Sequence, residues 1–439
     1  MFKIGCAETK LEVPLFTELY GYGHYAARRS TGVREALYCR VFTFFDGKKR
    51  AVIVYSDICT TDDQFARELR AQIATKLRIN PEGIAFVATH THSAPAVSSE
   101  SPDTSGIRNA EFITYWKQTV VATALKAFMD EEEICTAEAG KAPLARPIGT
   151  NRVEPDKNIT DPAIRWMRFK RCDGSVKLIC HNHAVHGIAD NGTLTRQVSS
   201  DWIGAANRMI REQALADYAL FLQGPAGDIN TRSACNTEKR EEVGRELAAE
   251  YVSYLAEDLS KGSAFEPGKI SFALKTYEFP TVYQTPAELR RDGDLLRARG
   301  RNDREKEYWG INAQRLDEMA LLTEQGFDLG CWHDLQVIRI GEAELFFVPG
   351  EFYVEPGCEL LEKANSRFPF VSTLSNGNGQ YFFTEKSALR YPTIDCKAEK
   401  LFGFYEIYGY MHQLRYKYQN NICSFIINNL KEVEKATDF

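Results

Sequence analysis

Two short segments combine histidines with a spacing that suits a metal site. His90 and His92 follow the apolar run 84–88, and one residue separates them. Residues two apart in a strand project to the same face, so both imidazoles would point the same way. A second cluster of three histidines follows the apolar run 176–180, and its members are His181, His183 and His186. Imidazole pairs at strand ends are typical of metal centres.

A carboxylate could complete such a centre. Glu351 follows the apolar run 343–348. Zinc binds imidazole nitrogen and carboxylate oxygen in a roughly tetrahedral shell, and a catalytic site leaves one position for water. His90, one histidine of the second cluster and Glu351 would form this shell, and the pKa of bound water would fall toward ~7. An unbound histidine such as His92 would move a proton, and an arginine would hold or polarise the substrate.

Each of these signals also has an ordinary structural explanation. A strand-end His-x-His is a short motif with many chance occurrences. His181 and His183 are equally compatible with solvent-facing positions in a hairpin, and the segment 224–230 with an ordinary turn. Glu351 before a helix is compatible with a capping acid that interacts with the helix dipole. The motifs therefore carry weight only as a set.

Four predicted strands end in polar or glycine-rich segments. These segments are 56–57, 90–92, 224–230 and 350–351. Functional groups gather at the carboxyl ends of strands in α/β sheets. The four strand ends therefore predict one shared site.

Strand-like and helical patterns alternate along the chain, which predicts an α/β fold with mixed sheets flanked by helices. The predicted strands are 51–55, 84–88, 164–169, 176–180, 218–222, 335–340 and 343–348. The turn at Asp173 and Gly174 joins two of them in a hairpin. Segment 286–325 is rich in Arg, Glu, Asp, Leu and Ala and predicts a helical insertion. No composition shift marks a linker, so residues 1–439 are expected to form a single catalytic domain.

The composition excludes some function classes. A net charge of -6 and a pI near 5.9 lack the positive charge that is typical of nucleic-acid-binding proteins. No apolar stretch is long enough to span a bilayer, and the N-terminus lacks the apolar region of a signal peptide. The 11 cysteines show no C-x-x-C spacing, which favours reduced thiols over a disulfide framework. We therefore expect a cytoplasmic protein.

A series of motifs in a consistent order resembles the neutral ceramidase family, whose catalytic domain is a zinc-dependent amidohydrolase. The run Ala-Thr-His-Thr-His-Ser-Ala-Pro at 88–95 is similar to that family's A-T-H-T-H-S-G-P signature. The other matching segments are 21–23, 37–41, 56–59, 151–152, 182–187 with 200–201, 227–230, 349–352 and 403–406. The resemblance covers nearly the whole chain, and it implies the same α/β fold.

The resemblance also implies roles for individual residues. It assigns a Zn²⁺ ion to four ligands, namely His90, His186, Glu351 and Tyr405, and leaves His181 and His183 a structural role. It places His92 and Arg152 at the substrate as catalytic groups. Segment 227–230 adds Asp228 and Asn230 as candidate substrate-binding residues. The implied chemistry is attack of zinc-activated water on an amide carbonyl.

The chain differs from the family at one motif position, since Asn230 stands where the family has a serine. We also expect no C-terminal immunoglobulin-like domain of the kind that secreted ceramidases carry. The sequence therefore predicts a zinc-dependent hydrolase of an amide (N-acyl) bond, acting on a small molecule or an N-acyl lipid. The alternatives are an esterase or carbohydrate-directed hydrolase on the same site, or a non-catalytic metal- or ligand-binding homologue. Nothing indicates a nucleic-acid or protein partner.

Overall fold

The computed structural model describes residues 1–22, 28–97, 108–190, 192, 195–232, 240–327, 330–394, 403–408 and 417–437. Gly23, part of the first predicted motif, lies outside these ranges. The predicted α/β class is confirmed, because three larger mixed sheets are flanked by helices. No helix in the described ranges is both long and apolar enough to cross a membrane.

The first sheet has five strands and carries the first histidine pair at one edge. Its order is Ile84–Ala88, Arg50–Ser56, Leu37–Phe45, Phe2–Leu11 and Glu132–Ile134. Only the first two of these strands pair in parallel. The helices Asp63–Leu77 and Ala110–Met129 bury apolar side chains against one face of this sheet. Ile84–Ala88 is buried along its whole length, as expected of a strand covered on both faces.

The second sheet also has five strands and carries the second histidine cluster. Its order is Tyr218–Gln223, Val176–His183, Ala163–Lys170, Thr136–Pro143 and Ser263–Phe265. The predicted hairpin turn is confirmed, and Gly174 adopts a φ of 87° that favours glycine. The helices Asp201–Glu212 and Arg240–Asp258 pack on this sheet. Both five-stranded sheets contribute to one hydrophobic cluster, so the two histidine-bearing strands share a core.

The third sheet has four strands in the order Ile270–Glu278, Trp332–Ile340, Ala343–Phe347 and Phe368–Ser372. A second hydrophobic cluster packs this sheet against five helices. They are Pro286–Arg299, Asp303–Glu324, Val354–Lys363, Phe404–Tyr408 and Ile422–Lys435. The first two helices fill the segment that predicts a helical insertion. Thr285 and Glu288 form a reciprocal capping box that begins the first of them.

The remaining elements are short. Three pairs of small strands are Gly32–Val33 with Gln197–Val198, Gly149–Asn151 with Ile229–Thr231, and Glu351–Phe352 with Tyr381–Phe382. The other short helices are Pro81–Gly83, Leu259–Lys261 and Glu385–Arg390. The last two strand pairs join distant parts of the chain beside the second histidine cluster.

One cysteine pair departs from the expectation of reduced thiols. Cys135 and Cys172 form a disulfide, with their Cα atoms 5.0 Å apart. The pairing of Thr136 with Lys170 in the second sheet brings the two cysteines together across 37 residues of sequence. Scattered cysteines in a sequence contain no information about such a strand register. A cytoplasmic location stays a prediction.

A buried ion pair supports the strand that leads to the second histidine cluster. Asp161 accepts a hydrogen bond of 2.8 Å from Arg165, and its carboxylate lies 3.5 Å from Nδ1 of His183. Burial opposes ionisation of Asp161, but Arg165 and His183 outweigh it and lower the pKa of this carboxyl to about 2. Because this pKa lies below the ordinary value, the pair stabilises the fold above about pH 4. That stabilisation is lost as the pH falls from about 4 to 2.

We expect Asp161→Asn to lower the free energy of unfolding by about 3 kcal/mol at pH 7, because Arg165 loses its buried partner. The deficit should shrink by about 2 kcal/mol between pH 4 and pH 2, because over this range the carboxyl binds a proton in the unfolded wild-type chain before it does so in the folded protein. Denaturant unfolding at pH 7 and pH 2.5 measures both values. Asp156→Asn, at an exposed position, serves as the control. A deficit that does not change with pH would contradict the assigned pairing.

Candidate metal centre

Three separate elements deliver the candidate ligands. His90 follows the end of Ile84–Ala88, and His186 follows the end of Val176–His183. Glu351 begins the short strand Glu351–Phe352. Thr91 pairs with Gly187 in an isolated bridge, which holds the two histidine segments side by side.

The three side chains converge at one point. Oε2 of Glu351 lies 3.4 Å from Nε2 of His90 and 3.2 Å from Nε2 of His186. One ligand atom from each of the three residues lies within 4.8 Å of the other two. Ligand atoms in a tetrahedral zinc site with bonds near 2.05 Å are about 3.3 Å apart. The separations within this cluster therefore suit a zinc-sized ion.

Both imidazoles are oriented by backbone carbonyls. Nδ1 of His90 lies 2.9 Å from the carbonyl oxygen of Cys59, and Nδ1 of His186 lies 2.9 Å from that of Ile229. A carbonyl only accepts, so each Nδ1 carries the proton and each Nε2 is directed at Glu351. Such partners of the second ring nitrogen set the tautomer in metal-binding histidines.

The ligand set has unsatisfied polar atoms that a cation would satisfy. Nε2 of His186 and Oε2 of Glu351 are buried and have no hydrogen-bond partner among the described residues. Buried polar atoms without partners are costly and require an explanation. Two nitrogens and one carboxylate oxygen are the donor types that zinc takes in catalytic sites. The residues present therefore fit the implied zinc ion.

The charges of the cluster suit metal binding. Burial lowers the pKa of His186 to about 4, so this ligand is neutral at pH 7 as coordination requires. Burial opposes ionisation of Glu351, but His90 and His186 outweigh it and hold its pKa well below the usual value. Burial also opposes protonation of His90, but Cys59 and Glu351 raise its pKa well above the usual value. Glu351 is therefore ionised, and the proton that its carboxylate favours on His90 would be released when a cation binds.

His90 adopts a strained backbone conformation. Its φ is 62°, in the left-handed region that non-glycine residues rarely occupy. Its backbone N–H donates to the carbonyl of Ile58 at 3.0 Å, which helps to hold this conformation. Strain of this kind costs of the order of 1–3 kcal/mol and clusters at ligand-binding positions. In this conformation Nε2 of His90 lies 3.4 Å from Oε2 of Glu351.

His92 lies beside the ligand cluster. Its Nε2 is 3.2 Å from Nε2 of His90, and it groups with His90 and Cys59 rather than with the other two ligands. Its residue exposure is 9%, and its Nδ1 has no hydrogen-bond partner among the described residues. A Cβ on Gly21 would lie 2.6 Å from the His92 ring, which explains the glycine at that position. The catalytic role of His92 stays a prediction.

Arg152 is held in place by four partners. Its Nη2 donates to the carbonyl of Gly227 at 2.8 Å and to the hydroxyl of Tyr381 at 2.9 Å. Its Nη1 donates to Oδ1 of Asn230 at 3.2 Å, and its Nε lies 3.1 Å from Oε1 of Glu406. Arg152 and Asn230, which are both predicted at the substrate, are therefore in direct contact with each other. Their contact with a substrate stays a prediction.

Asp228 is directed into the protein. Its Oδ1 accepts from the backbone N–H of Val354 at 2.8 Å, and its Oδ2 accepts from Nδ2 of Asn151 at 2.8 Å. Burial raises the pKa of this carboxyl to about 7. Asp228 therefore connects the segment before Arg152 with the helix that follows Glu351. Substrate binding by Asp228 stays a prediction, and its observed contacts are those of a positioning residue.

Tyr405 lies on the Arg152 side of the site. Its ring is 6.0 Å from that of Tyr381 and 6.4 Å from that of Tyr308. Tyr381 in turn accepts the hydrogen bond from Arg152. The ring of Tyr381 thus lies between Tyr405 and Arg152, the arginine predicted to face the substrate. Coordination of a metal by Tyr405 stays a prediction.

The other histidines of the second cluster form hydrogen bonds in the core. Nδ1 of His181 lies 3.0 Å from the hydroxyl of Tyr251, and its Nε2 lies 2.8 Å from Oδ1 of Asn207. Nδ1 of His183 lies 3.1 Å from the carbonyl of Ala163. Both side chains are buried, so the solvent-facing alternative for them is wrong.

Sequence reasoning missed two residues and misplaced one. Tyr381 and Glu406 hold Arg152, yet no spacing signal distinguishes Tyr381 from other tyrosines. Glu406 adjoins Tyr405 in a predicted motif, which was the available signal. Asp57, predicted at the shared strand end, instead accepts from Arg40 at 3.1 Å. That pairing directs it away from the ligand cluster.

The fold and the ligand cluster define an α/β protein with a candidate mononuclear metal centre. Residues 2–139 match the family model described as neutral/alkaline non-lysosomal ceramidase, N-terminal. The chain is similar to the crystal structure of neutral ceramidase from Pseudomonas aeruginosa, with a TM-score of 0.75 and 15% identity, covering 100% of this chain and 75% of that chain. It is also similar to a ceramidase complexed with C2, with a TM-score of 0.70 and 16% identity, covering 98% and 75% of the two chains. No curated protein matches the chain significantly. The resemblance predicted from the motifs is confirmed, and the fold is that of neutral ceramidase.

Proposed function

We propose that this protein is a zinc-dependent hydrolase that cleaves an amide bond of an N-acyl substrate. The observation that carries the proposal is the convergence of His90, His186 and Glu351 on one buried point with two unsatisfied ligand atoms. This donor set, with three protein ligands, is typical of catalytic zinc sites that keep a position for water. The similarity to a ceramidase complexed with C2 supports the N-acyl lipid class of substrate.

Zinc, when bound, would supply a Lewis acid and lower the pKa of its water toward ~7. His90 and His186 would hold the ion through Nε2, and Glu351 through Oε2. Burial, together with His90 and His186, lowers the pKa of His92 well below its usual value, so His92 is neutral at pH 7. Neutral His92 can accept a proton at one ring nitrogen and donate a hydrogen bond from the other.

Arg152 is suited to orient the substrate rather than to move protons. Its guanidinium keeps its charge, and its contacts with Tyr381, Glu406 and Asn230 hold the planar group in one orientation. A fixed cation near the reacting carbonyl stabilises negative charge that develops there. Cleavage would then depend on positioning by Arg152 and on proton transfer by His92.

The polar surroundings of Arg152 favour a compact acyl group. Asn230 stands where the ceramidase family has a serine, and its Oδ1 accepts a hydrogen bond from Arg152. A long acyl chain needs apolar contacts, whereas Arg152 is contacted by Asn230, Glu406 and the Tyr381 hydroxyl. An esterase or carbohydrate-directed hydrolase on the same site, and a non-catalytic binder, are the outcomes against which the proposal is tested.

We expect the zinc-loaded protein to hydrolyse N-acetylsphingosine at least about ten-fold faster than N-palmitoylsphingosine, because the long acyl chain lacks apolar contacts near Arg152. A ten-fold ratio corresponds to roughly 1.4 kcal/mol of lost binding. Product amine is measured by chromatography, before and after chelation and with zinc restored. An ester with the same acetyl group is the control. Hydrolysis of the ester alone would replace the amidase proposal by the esterase alternative. Full zinc occupancy without turnover on amide or ester would support the non-catalytic alternative.

A further inference from the structure

A second cluster of reactive side chains contains none of the candidate metal ligands. Sγ of Cys331 lies 3.2 Å from Nε2 of His333, and Nδ1 of His333 lies 2.9 Å from Oδ1 of Asp63. Asp63 begins the helix Asp63–Leu77, so the fold brings it to the other two across some 270 residues of sequence. A thiol, an imidazole and a carboxylate in this order form the arrangement that activates cysteine nucleophiles.

The hydrogen bonds around His333 determine its protonation. The hydroxyl of Tyr418 donates to the carbonyl of Gly379 at 2.9 Å, because that carbonyl can only accept. Its single proton is then used, so toward Nε2 of His333, 3.2 Å away, the hydroxyl can act only as an acceptor. Both ring nitrogens of His333 thus face groups that can accept, Nε2 the Tyr418 hydroxyl and Nδ1 the Asp63 carboxylate, and this favours the protonated form of His333. Sγ of Cys331 lies 3.2 Å from Nε2 of this ring.

The electrostatics of the cluster agree with this assignment. Burial opposes protonation of His333, but Asp63 and Cys331 outweigh it and raise the pKa of His333 well above its usual value. Cys358 provides a contrast, because it is half-buried and burial raises the pKa of its thiol to about 11. The thiolate is the reactive form of cysteine, so position beside an imidazolium matters more than exposure.

Cys331 is buried, but the residue that follows it is exposed. Its residue exposure is 8%, and the next residue, Trp332, is 49% exposed. Trp332 begins the strand Trp332–Ile340 of the third sheet, and Cys331 directly precedes it. A small reagent would approach Sγ from this exposed start of the strand.

We propose that His333 and Asp63 activate Cys331 as a nucleophile and that this residue is a site of covalent modification by low-molecular-weight disulfides. The thiolate attacks one sulfur of the disulfide, a mixed disulfide forms at Sγ, and the sulfur–sulfur bond of the reagent breaks. Cys331 is oxidised, the reagent is reduced, and the departing thiolate takes a proton from solvent when its own pKa requires one. The step needs no other oxidant.

The position of this thiol connects it to the candidate metal centre. Tyr418, which contacts both Cys331 and His333, donates to the carbonyl of Gly379. The next strand in sequence, Tyr381–Phe382, pairs with the strand that begins at Glu351. Tyr418 therefore links the Cys331 cluster, through Gly379, to the segment that pairs with Glu351.

The test compares two thiols within the same molecule. The full-length protein is treated at pH 7 with the aromatic disulfide dithiobisnitrobenzoate, quenched with acid at set times and analysed by peptide mass mapping. We expect Cys331 to react at least about ten-fold faster than the more exposed Cys358, because Cys331 lies beside the His333–Asp63 pair, whereas burial raises the pKa of the Cys358 thiol to about 11. Equal rates, or faster reaction of Cys358, would overturn the proposal without any variant.

Two variants test the role of the neighbours. We expect His333→Gln and Asp63→Asn each to slow the reaction of Cys331 about ten-fold or more, with the rate at Cys358 unchanged as the internal control. An unchanged Cys331 rate in both variants would refute stabilisation by the imidazolium. If one variant unfolds, the reaction rate of Cys358 also rises. In that case the other variant and the ratio of the Cys331 and Cys358 rates in the wild type test the proposal. Neither readout depends on hydrolysis, so failure here is distinguishable from failure of the proposed function.

Discussion

His186→Ala is expected to lose bound zinc and, with it, hydrolysis. The variant removes one of three converging ligand atoms and leaves Glu351 and His90 as an incomplete shell. Changing only a partner of a ligand costs about 10–100-fold in metal affinity, so loss of a ligand itself should cost roughly 1,000-fold or more. Elemental analysis after dialysis against a weak chelator should find about one zinc per wild-type chain and almost none in the variant.

His181→Asn is the matched control for this prediction. His181 lies in the same cluster and is equally buried, but its ring nitrogens face Tyr251 and Asn207 rather than Glu351. The control variant should lose stability and keep its zinc. Full zinc occupancy in His186→Ala would refute the ligand assignment, and loss of zinc in both variants would mean that the fold rather than the ligand was removed.

His92→Ala is expected to keep zinc and lose most of its turnover. His92 lies outside the three-ligand cluster, while its Nε2 is only 3.2 Å from that of His90. A positioned general acid or base contributes typically about 100- to 10,000-fold to the rate, so kcat should fall by that amount. Zinc analysis and steady-state kinetics on the same preparation measure both quantities.

The pH dependence separates a proton-transfer role of His92 from a packing role. If His92 moves a proton, the limb of the kcat profile that reports its ionisation disappears in the variant. Ser93→Ala is the neighbouring control, because its hydroxyl is buried without a hydrogen-bond partner among the described residues. That control should retain both zinc and rate. Unchanged kcat in His92→Ala would remove the catalytic assignment.

Local patterns in the sequence predicted most of the elements. The apolar run 84–88 corresponds to the strand Ile84–Ala88, and the predicted hairpin and its turn at Gly174 are present. These features depend on side-chain periodicity and on the φ values that particular residues tolerate, which act over a few residues. Local interactions of this kind can be inferred from one sequence.

The choice among the second-cluster histidines could not be made from spacing. His181 and His183 belong to the strand and bond within the core, whereas His186 lies beyond the strand end. The bridge between Thr91 and Gly187 is what brings this later segment beside His90. Family resemblance pointed to His186, but the physical reason is a contact between two loops far apart in sequence.

The sequence by itself determined the residue types of the site, its two imidazoles and one carboxylate, and the strands that carry them. Only the tertiary structure decided which of those groups meet. Asp57 and Glu351 both follow strands, yet Arg40 pairs with Asp57 while Glu351 faces His90 and His186. The reason is that contacts between side chains hundreds of residues apart depend on how the sheets pack together and on which loops pair with each other. Those interactions form between elements rather than within them.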